Sequence, residues 1–396
     1  MAVSAFGSMA AGQVTPVQFA VSESGAATLS IPIQVPRGIG GMEPQLSLNY
    51  SSGAGNGLLG LGWTLQGPSA ITRCPQSLDV DGQRGAVRFN SDDRFCLDGR
   101  RLLLIDPTAP NAASAPPQSN YGAAGTEYRT QRESFSRIRA VGAYATRVPQ
   151  GFTVETKSGL IMAFGNVIDG TLHSSQILTT PSTLASGVVT TINRWMLRRI
   201  SDRTGSFVEF EYCKGEVLPS ASAPVAAAAT TCTPSASAGS APIHYIRYTN
   251  RGSAVDGTFG VMFRYEPRPD AIQVFHEGSS TRQTQRLSAI QTFINFAGPG
   301  NPGRLVRSYD LYYEPLVQGS SSVRATNASR LNMLQERGFD ETGLAVASLP
   351  PVTFSMASDA VLGMNVQQTP TVTTINLPPA RRCGGVVSAK QSLICP

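Results

Sequence analysis

Three short stretches carry residue types whose spacing could do chemistry. Glu209-Phe-Glu211 has the Glu-x-Glu spacing of ADP-ribosyltransferases, and alternate residues of a strand put both carboxylates on one face. Gly55-Asn-Gly-Leu-Leu-Gly60 matches the GxGxxG phosphate loop, and Asp79 lies about twenty residues on, where a ribose-binding acid is expected. Asp79-Val-Asp81-Gly82 resembles half of a calcium loop.

Each motif is weakened by its surroundings. A dinucleotide site needs a helix whose N-terminus faces the pyrophosphate. Here the loop runs into Leu61-Gly-Trp-Thr-Leu-Gln-Gly-Pro68, whose two glycines and proline oppose a helix. Tight turns in a β-ribbon are the expectation. The Asp79 segment lacks the third acid and the closing bidentate glutamate of an EF-hand, so a β-turn is expected there. The glutamates sit on a predicted strand, Phe207–Tyr212, preceded by a strand and turn from Trp195 to Ser206. No partner arginine strand or Ser-Thr-Ser element occurs in the order that chemistry needs. His173, His244 and His276 form neither HExxH nor His-x-His, and there is no GxSxG elbow or Walker loop. The expected catalytic, cofactor-binding and metal-binding residues are therefore none, and the expected cofactors are none.

Six cysteines fall as three successive pairs: Cys74 with Cys96, Cys213 with Cys232, and Cys383 with Cys395. None has CxxC spacing, so sequential disulfides are the natural expectation, each closing a loop for about 3 kcal/mol. Disulfides imply an oxidising compartment, hence a secreted, periplasmic or cell-surface location. The net charge is +6, and only three of the 32 basic residues are lysines. The basic residues are interleaved with acids, as in Asp92-Asp93-Arg94, which argues against nucleic-acid binding. No stretch is long and apolar enough to span a membrane as a helix.

The elements that must position these residues are strands. Ala27–Ile33 and Gln45–Tyr50 are apolar at every second position, the strand period. The same rhythm occurs at Phe152–Thr156, Leu160–Phe164, Phe207–Tyr212, His244–Tyr248, Gly260–Tyr265, Ala271–Phe275, Leu287–Phe296 and Ser308–Tyr313. Turn dipeptides separate them, among them Ser158-Gly159 and Thr204-Gly205. Leu331–Arg337 could form a short helix, but its surroundings favour a strand. The fold class is all-β: many short antiparallel strands in an extended, curved sheet with few helices. Residues 1–16 read as an N-terminal tail, a signal-peptide remnant with Ser8-Met9-Ala10 as its cleavage site. The β domain spans 17–355, with flexible loops at 107–124 and 218–241, and 356–396 is an irregular C-terminal tail.

Ser22–Gly38, Glu43–Gly53 and Asn56–Leu65 with its sequel Ile71–Pro75 resemble the SpvB N-terminal domain family. That family includes the B components of insecticidal toxin complexes and is related to Rhs/YD-repeat proteins. Looser matches are Asp93–Leu102, Trp195–Tyr212, Ser329–Glu336 and Leu349–Phe354. The resemblance implies a non-enzymatic structural domain of a secreted virulence-associated protein, contributing strands to a β-shell that houses or exports an effector. It also implies a Rhs/YD-repeat or toxin-complex polypeptide as partner, covering otherwise unpaired sheet edges. The family's ADP-ribosyltransferase is a separate C-terminal domain, for which no room remains after Phe354. The chain is therefore expected to be a truncated paralogue or one piece of a split gene. A cell-surface adhesin or carbohydrate-binding module is the alternative, and a transferase using Glu209 and Glu211 is a third reading.

Overall fold

The computed structural model describes residues 14–105, 120–145, 147–167, 176–179, 191–213, 215–219, 230–234, 241–251, 259–276, 279–314, 328–356, 366–369 and 372–377. The first layer follows directly from alternation. Strands β1 (Gln18–Val21), β2 (Ala27–Ile33) and β3 (Leu46–Ser51) are followed by a tiny hairpin, β4 (Asn56–Gly57) with β5 (Gly60–Leu61), and by β6 (Trp63–Gln66). They form an antiparallel four-stranded sheet in the order β1-β2-β3-β6, with β4–β5 set apart. Leu29, Ile31, Ile33, Leu46, Leu48 and Tyr50 point to its buried face.

The next strands close on themselves. They are β7 (Ala70–Cys74), β8 (Arg94–Leu97), β9 (Arg100–Ile105), β10 (Glu127–Thr130), β11 (Arg137–Val141), β12 (Gly151–Glu155), β13 (Ile161–Gly165), β14 (Gln176–Thr179) and β15 (Thr191–Ser201). Each of β7 to β12 pairs antiparallel with its successor, β13 pairs with β15, and β15 pairs back with β7. The ring is an eight-stranded barrel, a size whose interior side chains can fill. Aromatic residues fill it: Phe95 lies 5.2 Å from Trp195 and 5.3 Å from both Tyr121 and Phe152, centroid to centroid. Their polar tips are satisfied within the wall. Tyr121 OH accepts from Phe95 N–H and donates to Leu102 O, and Trp195 Nε1 donates to Pro149 O.

β15 is long enough to serve two neighbours along one edge. Its first half meets β7, and its second half meets β16 (Ser206–Tyr212). From there an open sheet grows through β19 (Ile243–Arg251), β20 (Phe259–His276), β21 (Ser279–Ile294), β22 (Arg304–Tyr313) and β23 (Leu331–Phe339), after a side hairpin of β17 (Gly215–Pro219) and β18 (Thr230–Pro234). β24 (Ala345–Ser348) and β25 (Val352–Met356) both pair with β23; β26 (Val366–Thr369) and β27 (Val372–Leu377) complete the sheet. The N-terminal sheet packs on this sheet, sharing one apolar core with the barrel. Two tyrosines tie the layers. Tyr309 OH accepts from Gln34 N–H, and Tyr248 OH donates to Pro36 O.

One turn design recurs four times. Ser22-Glu-Ser-Gly25, Thr156-Lys-Ser-Gly159, Asp202-Arg-Thr-Gly205 and Asp340-Glu-Thr-Gly343 join β1 to β2, β12 to β13, β15 to β16 and β23 to β24. In each, the first residue's side-chain oxygen accepts the N–H four positions on, at 2.9–3.1 Å. In each the glycine has φ of 78–86°, a conformation that costs glycine nothing.

Several expectations change. Asp79–Asp81 is not a β-turn but part of a one-turn α-helix, Leu78–Asp81, ended by Gly82 in the left-handed region. The 218–241 segment is not loop throughout, because Leu218–Pro219 and Thr230–Pro234 belong to the β17–β18 hairpin. The 107–124 segment ends in an anchor, since Tyr121 is buried in the barrel. The C-terminal tail is not irregular throughout: β27 adds to β25 in parallel, where antiparallel neighbours are the rule elsewhere. Its strand rhythm is hidden because the adjacent Thr373 and Thr374 interrupt the alternation of Val372–Leu377. The residues around the cleavage site Ser8-Met9-Ala10 lie outside the described ones. We predict that Phe95→Ala costs about 3–5 kcal/mol, whereas Asp202→Ala costs about 1 kcal/mol. Urea unfolding of both variants checks the order; equal losses would mean the barrel core is loosely packed.

Candidate functional site

The Gly55–Gly60 block is an anchor, not a phosphate loop. Asn56–Gly57 and Gly60–Leu61 form a hairpin, and no helix follows it. What the hairpin meets is an irregular stretch of β20. Between Pro267 and Ile272 the strand advances five positions while β21 advances two, from Gln285 to Gln283. The extra residues aim Arg268 and Asp270 at the hairpin.

Arg268 is wholly buried and Asp270 nearly so. Its guanidinium donates twice to Asp270, from Nε to Oδ1 and from Nη2 to Oδ2, both at 3.1 Å. Nη1 also donates to Gly57 O at 3.0 Å, and Nη2 to Asn56 Oδ1 at 2.8 Å. Asn56 Nδ2 returns a bond to Asp270 Oδ2 at 2.9 Å. Ser329 closes the ring: its N–H donates to Oδ2 at 2.6 Å and its hydroxyl to Oδ1. Its carbonyl accepts Leu61 N–H at 2.8 Å. Gly60 fits there because a Cβ would stand 2.4 Å from that carbonyl, and its φ is +86°. Burial would raise the Asp270 carboxyl, but bonds from Arg268, Ser329 and Asn56 outweigh it and hold it well below the usual range. All four Asp270 acceptor sites are occupied by the protein itself, leaving no lone pair for a ligand.

Glu209 is equally committed. Arg199 on β15 and Arg247 on β19 flank it in register, with Nη2 atoms 3.0 and 2.6 Å from its two oxygens. Burial pushes the carboxyl up, yet the two guanidiniums hold it below the usual range, so it is a clamped anion and a poor base. Glu211 lies on the same face two residues on, opposite Tyr245. Asp81 is consumed too. Arg94 Nε reaches Oδ1 at 2.7 Å, Arg101 reaches Oδ2, and Ser77 N–H donates to Oδ2 at 2.9 Å. Asp79 is outside this cluster and bonds Gln131. Among the described residues, no group of three or more His, Cys, Asp and Glu side chains could hold a metal ion. No described helix is long and apolar enough to cross a membrane.

His244 is buried with its ring against Tyr245, His276 ends β20, and His173 lies outside the described residues. Cys74 is joined to Cys96 across β7 and β8, with Cα atoms 5.9 Å apart. Cys213 is joined to Cys232, at 5.5 Å, fastening the β17–β18 hairpin to the end of β16. Cys383 and Cys395 lie outside the described residues.

A barrel fused to a two-layer sheet, with Glu209, Asp81 and Asp270 paired to arginines, defines an all-β fold. The family model described as Salmonella virulence plasmid 65kDa B protein, SpvB, matches residues 21–274, and the chain belongs to that family. No curated protein matches. Among solved structures, the N-terminal domain of effector protein SpvB from Salmonella typhimurium strain LT2 is 17% identical. That match has a TM-score of 0.54 over 78% of this chain and 99% of that one. The TcdB2-TccC3 crystal structure is 18% identical, with a TM-score of 0.57 over 85% of this chain. The Photorhabdus luminescens Tc holotoxin pore is 20% identical, with a TM-score of 0.58 over 86%. This chain spans only 16% of each of those two longer chains. The likeness is one of fold.

Asn56 and Ser329 lay in segments singled out for other reasons, and Arg268 and Asp270 had no motif to announce them. Their one trace is the break in alternation from Glu266 to Asp270. We predict that Arg268→Ala costs about 3–5 kcal/mol, because it strands a buried carboxylate. Arg268→Met with Asp270→Asn should cost less than the two single changes added together. Because Asp270 is depressed in the folded state, its contribution is full above the unfolded carboxyl value near 3.9 and fades as pH falls below that. Thermal melts from pH 7 to pH 2 should show a shallower acid decline in Asp270→Asn; an unchanged slope would count against the assigned role.

Proposed function

We propose that this chain is a non-enzymatic structural domain of a secreted, toxin-associated assembly, contributing strands to a β-shell that houses or exports an effector. The observation that carries the reading is the internal use of three acids, two of them sequence candidates. Glu209, Asp81 and Asp270 each neutralise arginines within the scaffold, so the sheet spends its charge on its own shape. The fold shared with TcdB2-TccC3 supports a toxin-complex polypeptide as partner. The disulfides support an oxidising location outside the cytoplasm. Co-expression with a Rhs/YD-repeat polypeptide, followed by native mass spectrometry, tests this. A stable hetero-complex is expected; free chains only, across the partners tried, would overturn it.

A second reading rests on the outer face of the N-terminal sheet. Gln18, Ser30, Asn49 and Thr64 stand in register across all four strands. They edge a hollow of about 320 Å³, and none is charged. Ser30 Oγ donates to Asn49 Oδ1 at 2.8 Å, as carbohydrate-facing hydroxyl and amide groups can do for a neutral sugar. A glycan array should then show binding that Asn49→Ala abolishes; a blank array removes the adhesin reading.

A further inference from the structure

β1 is the outer edge of the N-terminal sheet and pairs only with β2. Its phase is fixed by the turn that follows. Ser22 N–H donates to Ala26 O, so Ala20 opposite Thr28 and Gln18 opposite Ser30 are the pairs that exchange hydrogen bonds with β2. The main-chain groups of Val17, Phe19 and Val21 therefore point to the open side. The edge carries none of the usual protection: Val17-Gln-Phe-Ala-Val21 has no charge, no proline and no bulge. All four residues of β1 are exposed, Phe19 at 50% and Val21 at 61%. These two side chains lie on the core face, beside Leu29 and Ala27, where nothing among the described residues covers them.

The segment is also self-complementary. Read backwards, its apolar residues recur at 17, 19 and 21, with Gln18 and Ala20 exchanging places on the other face. Antiparallel pairing of two copies about a two-fold axis through Phe19 sets Phe19 opposite Phe19, Val17 opposite Val21 and Gln18 opposite Ala20. That register places every outward N–H and C=O in a hydrogen-bonded pair, about six bonds in all. It also sets the apolar side chains of both copies side by side on one face. The symmetry is isologous and closes at two.

We propose that the chain self-associates through β1, joining two four-stranded sheets into one eight-stranded sheet. The occupant is a second copy of this chain, because the edge's own sequence matches itself in the one register that satisfies its backbone. A strand of five residues is far smaller than the roughly 800 Å² per partner of a standard interface, so the dimer should be weak and concentration-dependent, in the micromolar range. This inference is independent of the shell reading, since it requires no second polypeptide.

Sedimentation of the full chain from about 1 to 300 µM tests it, a range chosen to bracket micromolar affinity. The wild type is expected to pass from monomer to dimer across that range. Phe19→Pro removes only an outward-facing donor and leaves the ladder to β2 intact. Phe19→Lys sets like charges face to face. Both are expected to weaken association at least tenfold while circular dichroism and the melting temperature stay near wild type. If one variant misfolds, the other decides. A wild type that stays monomeric at the highest concentration overturns the proposal, whatever other strands the edge captures. So does a dimer that a folded variant leaves unchanged.

Discussion

The Arg268–Asp270 pair is the constraint on which the arrangement of layers depends. Two charges removed from water are tolerable only when their remaining donors and acceptors are also met. Here the remaining partners come from two stretches far from the bulge of β20: Asn56 and Gly57, and Ser329 before β23. Satisfying one ion pair therefore fixes the N-terminal hairpin against the middle of the open sheet and against the entry to β23. Apolar packing alone would not specify this alignment, because sheets with alternating faces can slide while staying buried. The next residues exploit the fixed point. Trp63, three positions after Gly60, packs 5.5 Å from Tyr50 and 4.8 Å from Phe354, joining the N-terminal sheet to β25.

The barrel solves a different problem. A long meander of short strands would expose an edge at each end, but β15 returns to β7 and removes two of them. The interior left by eight strands is narrow, and the rings of Phe95, Tyr121, Tyr128, Phe152 and Trp195 pack together in it. Arg73 enters one part of this interior, paired to Asp93 at 2.9 Å and lying over Trp195. The barrel is thus a plug of packed rings and not a ligand chamber.

Much of the strand content was legible because it rests on a local rule. Ala27–Ile33 alternates in sequence and alternates in burial along its whole length. The hairpin character of Asn56–Leu61 was also readable, since glycine density excluded the helix a phosphate loop needs. Closure was not readable. It depends on β7 and β15 meeting across about 120 residues, and alternation says which face is buried but not which strand is the neighbour. The split of β20 is the instructive case. The sequence shows two rhythms, Gly260–Tyr265 and Ala271–Phe275, with a gap between them. The gap is not a loop: it is the bulge that delivers Arg268 and Asp270 to Asn56. A loss of rhythm inside a strand can thus mark the place where the backbone serves a distant contact.

Two of the acidic candidates, Glu209 and Asp81, share one environment. Glu209 sits between Arg199 and Arg247, and Asp81 between Arg94 and Arg101, each bracketed on neighbouring strands or turns. A cross-strand neighbour is about 5 Å away in space but many residues away in sequence, so no local motif reveals it. The abundance of arginine over lysine then has a structural meaning. A guanidinium presents a planar fork with several donors, so one Arg268 can bind a carboxylate, an amide oxygen and a main-chain carbonyl together. A lysine ammonium has three donors and no fork, and could not hold that geometry. In a chain whose core contains so many buried acids, arginine supplies the fixed angles from which the sheets take their alignment.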